Sequence, residues 1–101
     1  PIIFALSNPY PEIDPVLAKR AGAFIIATGR SDVPNQVNNV LAFPGIFRGA
    51  LDNGVRQITP SMLIKAAENL AAYVKDLSPE FILPDPLDKE VAKAVARAIK
   101  D

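Results

Sequence analysis

"IIFALSNPYPEIDPVLAKRAGAFIIATGR", residues 2–30, sets the fold class. It holds two short apolar runs, residues 2–6 and 23–27, rich in Ile and Phe. Each stops at turn residues, Ser7-Asn8-Pro9 and Thr28-Gly29-Arg30. Runs of that length with such endings read as buried strands. Between them, Asp14 suits an N-cap, Pro15 the first helical position and Gly22 a left-handed stop. The pattern predicts a strand–helix–strand unit with a right-handed crossover. The unbroken apolar character of "PIIFAL" further predicts a strand covered on both faces, as in a parallel sheet.

Further along the chain the periodicity turns helical. "FPGIFRGALDNG", residues 43–54, repeats apolar residues at Phe43, Phe47 and Ala50 or Leu51, and ends at Asn53-Gly54. The Phe43/Phe47 stripe is expected to be core. Thr59-Pro60 opens a second long helix, whose expected core stripe is Leu63, Ala66, Ala67, Leu70 and Val74. Three prolines in "SPEFILPDPLD", residues 78–88, predict an irregular connection. Asp88 then caps "KEVAKAVARAIK", with Val91, Val95 and Ile99 inward and Lys89, Lys93, Arg97 and Lys100 wet. Two strands with these helices predict an α/β chain. It reads as the C-terminal portion of a doubly wound parallel sheet, two short strands followed by helices, over residues 1–101. Because the first residues are already an apolar strand with no initiator methionine, upstream strands and an N-terminal domain are expected to precede it.

Composition narrows the chemistry. The chain has 101 residues, half of them apolar, with eleven basic and eleven acidic side chains, no cysteine and no histidine. Zero net charge without a basic run argues against a nucleic-acid surface. No stretch nears the roughly 20 apolar residues of a membrane span, and no signal peptide is visible. The absence of cysteine excludes a disulfide framework and thiolate chemistry, and that of histidine removes the commonest acid–base residue. A cytoplasmic location is expected.

In an open parallel sheet ligands bind beyond the carboxyl ends of the strands. Ser7-Asn8-Pro9 and residues 28–32 should therefore line one rim, with residues 35–39 just beyond. "TGRSDVPNQVNNVLAFPG", residues 28–45, is dense in amides. Asn and Gln offer two donors and an acceptor without charge, which suits a carboxylate or a nicotinamide carboxamide. Plainer readings stand beside this one. Asn8-Pro9 reads as a turn or a ligand contact, and Asn38 and Asn39 as helix caps or ligand contacts. Arg30-Ser31-Asp32 reads as a local salt bridge and turn before a phosphate clamp. Asp85 and Asp88 read as a loop carboxylate and a cap. Glycine-rich phosphate-binding and zinc or serine-hydrolase motifs are absent.

At "FALSNP", "TGRSDVPNQVNNVLAFPGIFRGALDNG" and "ILPDPLDKEVAKAVARAI" the chain closely resembles malic enzymes of the bacterial and archaeal type. The resemblance implies the C-terminal part of an NAD(P)-binding Rossmann-like domain. It implies an enzyme that oxidatively decarboxylates malate to pyruvate and CO2, reducing NAD or NADP with the help of Mg2+ or Mn2+. Carried over by position, Asn8 would contact malate beside the nicotinamide, and one or both of Asn38 and Asn39 would hold a malate carboxylate. Ser7, Asn8, Thr28, Gly29, Arg30 and Asn38 would border the cofactor. The family's lysine base, tyrosine acid, acidic metal ligands and glycine-rich turn lie upstream of the matching region. No residue of this chain is therefore expected to be catalytic or to ligate the metal, and the segment alone is expected to be inactive. The family also implies a homodimer for the full enzyme. Rival readings are a segment of another Rossmann dehydrogenase, or a non-catalytic fragment acting as an interaction module.

Overall fold

Asp14 starts the first helix as its sequence position demands. In the computed structural model, which describes residues 1–101, its carboxylate accepts from Leu17 N at 3.3 Å. Helix α1 (Pro15–Arg20) ends before Gly22, whose φ of 108° lies where only glycine is unstrained. Strands β1 (Ile2–Ala5) and β2 (Ile25–Thr28) flank α1 and pair in parallel, Ile2 opposite Ile25 and Ala5 opposite Thr28. The second strand thus starts two residues later than its apolar run and takes in Thr28. Ala5, Ala18, Ala23 and Ile26 form a small core between sheet and α1.

Only one face of β1 is covered. Ile2 and Phe4 alternate onto the other face and stay largely exposed, so residues 1–101 supply the expected cover on one face only. The run gives hydrophobicity but no alternation, and α1 packs on one side only.

The loop after β1 is held by a short latch. Ser7 N donates to Glu12 Oε1 at 3.1 Å, and the Ser7 hydroxyl donates to Glu12 Oε2 at 2.7 Å. These two donors, the hydroxyl first, hold the Glu12 carboxyl below its ordinary value of 4.5.

The remaining helices build a second core. A 3-10 turn (Asn39–Leu41) leads into α2 (Phe43–Asn53), followed by α3 (Pro60–Tyr73) and α4 (Val91–Ala96). Leu41, Ile46, Met62, Ala66, Val91, Val95, Ala98 and Ile99 form this core. Two centres make the molecule long, 47 × 28 × 23 Å. Its Cα radius of gyration of 14.9 Å exceeds the roughly 13 Å of a 100-residue single-core domain.

The buried face of α2 is not the aromatic one. Phe43 and Phe47 are 49% and 57% exposed and stack on each other with centroids 6.0 Å apart. Gly45, Ile46 and Gly49 face inward instead. A Cβ on Gly45 would lie 2.7 Å from Ala92 O, and one on Gly49 would lie 2.5 Å from Ala96 O. Backbone-to-backbone approach of α2 and α4 requires both glycines, and the phenylalanines are left outside. The stripe of α3 is likewise rotated. Met62, Ala66 and the following Val74 are buried, while Leu63 and Ala67 face out.

Helix α4 begins later than its expected cap. Asp88 accepts from Glu90 N at 3.0 Å and from the Tyr73 hydroxyl at 2.6 Å, so it ties the approach to α3 while the helix starts at Val91. That bond to a carboxylate raises the Tyr73 phenol above its usual range. The inward Val91, Val95 and Ile99 match the expected stripe, and the four cations stay outside. No helix is long and apolar enough to cross a membrane.

Two outcomes are expected. Gly49→Ala gains about 1 kcal/mol of helix propensity but meets a rigid carbonyl, an overpacking cost of about 1–3 kcal/mol. Denaturant unfolding should show a net loss of up to about 2 kcal/mol; a raised midpoint would mean that α4 yields freely. The second concerns the latch. Glu12 has a folded value below its unfolded one, so its contribution is complete above pH 4.5 and is lost as pH falls through the lower folded value. In a 13C titration of the Glu12 carboxyl, Ser7→Ala should move the midpoint up toward 4.5; an unmoved midpoint would dismiss the latch.

Candidate functional site

The strand ends do converge. Beyond β1 and β2, Leu6, Asn8, Gly29, Gln36, Val37, Asn38 and Asn39 line one open cleft of about 350 Å³. Four of the residues singled out from sequence, Asn8, Gly29, Asn38 and Asn39, therefore share one space, and Gln36 adds a fourth amide side chain. The volume falls within the roughly 300–1,000 Å³ range of small-molecule pockets.

Each wall has a local cause. On the first, the Asn8 side chain lies across Gly29. A Cβ at position 29 would sit 2.8 Å from Asn8 Oδ1, so glycine leaves Asn8 its place. On the second, Asn38 is extended (φ −133°, ψ 132°) and its Oδ1 accepts from Val40 N at 3.0 Å, capping the 3-10 turn. The cap occupies its carbonyl oxygen and leaves both amide N–H donors free. Cap and ligand contact are compatible in one side chain. The amides of Asn8, Gln36 and Asn39 form no hydrogen bond within the chain, and Asn8 and Asn39 are exposed. Neutral donors and acceptors thus face the cleft unspent.

Three other sequence candidates lie outside its lining. The polar groups of Ser7 are engaged by Glu12. Thr28 is 1% exposed, and its hydroxyl accepts from Arg30 N at 3.1 Å. Arg30 forks onto Asp32, with Nε and Nη2 donating at 2.9 and 2.6 Å, and Asp14 stands 3.6 Å from its Nη1. This pairing holds the Asp32 carboxyl below its ordinary value and raises Arg30 further. The salt-bridge reading of "RSD" is the one the geometry gives. Asp85 accepts from Leu87 N at 2.9 Å in its loop. No three acidic side chains gather where an ion could be held.

One residue escaped the sequence reading. Asn35 sits in the same amide-rich loop but is 7% exposed and has a φ of 59°. Its Nδ2 donates to Ile26 O at 3.1 Å and to Pro79 O at 2.9 Å, and its Oδ1 accepts from Ile82 N at 2.9 Å. The side chain is spent on the fold. The available signal was Asn as a residue tolerant of positive φ, placed after Val33-Pro34.

Comparisons with known proteins identify the family. The sequence model described as "Malic enzyme, NAD binding domain" matches residues 1–101. The bifunctional malic/malolactic enzyme of Bacillus subtilis is 57% identical over 101 residues, covering 98% of this chain and 25% of that protein. The NADP-dependent malic enzyme of Salmonella typhimurium is 47% identical, covering all of this chain and 16% of its own length. The crystal structure of the malic enzyme from Pyrococcus horikoshii superposes with a TM-score of 0.93 at 58% identity, covering 97% of this chain and 23% of that one. The chain spans about a quarter or less of these relatives. The match over residues 1–101 and the shared fold lead to one assignment: the chain belongs to the malic enzyme family, within its NAD-binding domain.

Proposed function

We propose that this chain is the substrate- and nicotinamide-orienting part of a malic enzyme that oxidatively decarboxylates malate to pyruvate and CO2 with reduction of NAD or NADP. The observation that carries this reading is the cleft where the free amide N–H groups of Asn8, Asn38 and Asn39 meet at the ends of two parallel strands. Relatives named for NAD and for NADP both match the chain, so either nucleotide is admitted.

The residues fit a nicotinamide and a dicarboxylate. Asn8 over Gly29 offers donor and acceptor to a carboxamide, and a glycine there keeps the backbone approachable. Asn38 and Asn39 offer N–H donors to a carboxylate. The nicotinamide, when bound, accepts hydride; the work of this chain is to hold the carbon that gives it up within reach. Ser7, Thr28 and Arg30 serve the cofactor side through the backbone they shape, since their polar groups are engaged internally. The residues do not fit a divalent ion, because no acidic cluster is present, and no step of this chain runs through one. Mg2+ or Mn2+, held by other residues of the whole enzyme, a homodimeric state and a cytoplasmic location complete the proposal. They rest on the family resemblance alone.

Whole enzyme carrying this segment should reduce NAD or NADP, followed by absorbance, only when malate is added. Failure with both nucleotides would reject the function. Asn39→Ala removes a hydrogen bond to a charged group, an effect of about 1.5–3 kcal/mol, so the malate KM should rise by about tenfold or more and kcat should fall. Unchanged malate kinetics would take Asn39 out of the site.

A further inference from the structure

We infer that Asn35 is a positioning residue for the amide cleft, acting on the substrate through the loop it anchors and not by contact. The inference rests on the malate-binding reading above and adds a residue which that reading does not use. Asn35 is outside the cleft lining, yet the next four residues, 36–39, all line it. The two walls come from different halves of the molecule. Asn8 and Gly29 follow β1 and β2, whereas Asn38 and Asn39 open the helical half.

What sets their separation is the anchoring at position 35. Its side chain grips β2 through Ile26 O and the 79–82 segment through Pro79 O and Ile82 N. Its backbone carbonyl accepts from Thr28 N at 3.4 Å, and Val37 N donates to Thr28 O at 2.7 Å, so the chain returns beside the end of β2 before entering the cleft wall. No buried polar side-chain atom is left without a partner. Asn35 thus joins β2, the cleft loop and the segment ahead of α4. Removing its side chain leaves the Asn38/Asn39 wall tied to β2 only by the two backbone bonds at Thr28 and so loosens it, while leaving Asn8 and Gly29 in place. A dicarboxylate spanning the walls is sensitive to their spacing, because a displacement of about 1 Å can cost about a hundredfold in rate. A dinucleotide with contacts elsewhere is much less so.

The test uses the whole malic enzyme containing this segment. Asn35→Gly keeps the left-handed backbone and deletes all three side-chain hydrogen bonds. Asn35→Asp keeps size and the acceptor for Ile82 N but loses both donors. Thermal unfolding is recorded with the KM for malate, the KM for the nucleotide and kcat. The expected result is a folded variant whose malate KM rises by about tenfold while the nucleotide KM stays within about twofold. The inference is overturned by an unchanged malate KM, by equal loss of affinity for malate and nucleotide, or by failure of both variants to fold, which would make Asn35 a stability residue only. An unsubstituted enzyme inactive on malate would overturn the functional reading itself, a result visible before any variant is made.

Discussion

A single carboxamide links the two halves of this molecule. The sheet half and the helical half each have their own apolar core. Between them stands Asn35, with two backbone carbonyls and one backbone N–H in its grasp. Only an uncharged amide of this length supplies two donors and an acceptor from one plane. Aspartate would turn a carboxylate toward two carbonyls, and glutamine would overshoot. Each such bond contributes only about 1 kcal/mol net, but a buried partner left unpaired costs about 1–3 kcal/mol. The asymmetry makes replacement costly even though the bonds themselves are ordinary. Asparagine also accepts a φ of 59° more readily than most residues, so backbone and side-chain needs coincide.

The parts of the fold legible in the sequence were those determined within a few residues. Asp14, Pro15 and Gly22 bound α1 by local chemistry, and Thr59 with Pro60 does the same for α3, where the Thr59 hydroxyl accepts from Met62 N at 3.3 Å. The parts that were not legible depend on distant partners. Periodicity shows that α2 has an aromatic stripe but cannot say which face a neighbouring helix will claim. Here the close approach of α4 selects Gly45 and Gly49, and two glycines four apart were the neglected signal. Asp88 has the right type and place for a cap, yet Tyr73, fifteen residues earlier, takes part of its carboxylate. Asn35 is the extreme case. Its side-chain partners include groups 44 and 47 residues away, so the loop itself hints at the positive φ of Asn35 but not at the partners that bury it.

The candidate site was legible for a different reason. Parallel pairing of two strands puts their ends on one edge whatever the details, and the register here does so with Ala5 beside Thr28. Topology therefore brought Asn8 and Gly29 together before any side chain was considered. It could not reveal that Thr28 turns inward or that Asp14 joins the Arg30–Asp32 pair read from the sequence, since both follow from side-chain packing around the loop.

That occupation of Arg30 bears on how the cleft treats an anion. With the guanidinium bound to Asp32 and Asp14, the cleft lining itself carries no charged side chain. A free arginine would bind a dicarboxylate more strongly but equally well in the ground and transition states, and uniform binding of that kind adds nothing to turnover. Amide donors would hold the same carboxylates with shorter-ranged, more directional contacts. They also leave the field at the reacting carbon to whatever charges the rest of the enzyme supplies. A neutral cleft with fixed walls orients more than it attracts, and the rigidity needed for orientation is what the buried hydrogen bonds around residues 28–37 supply.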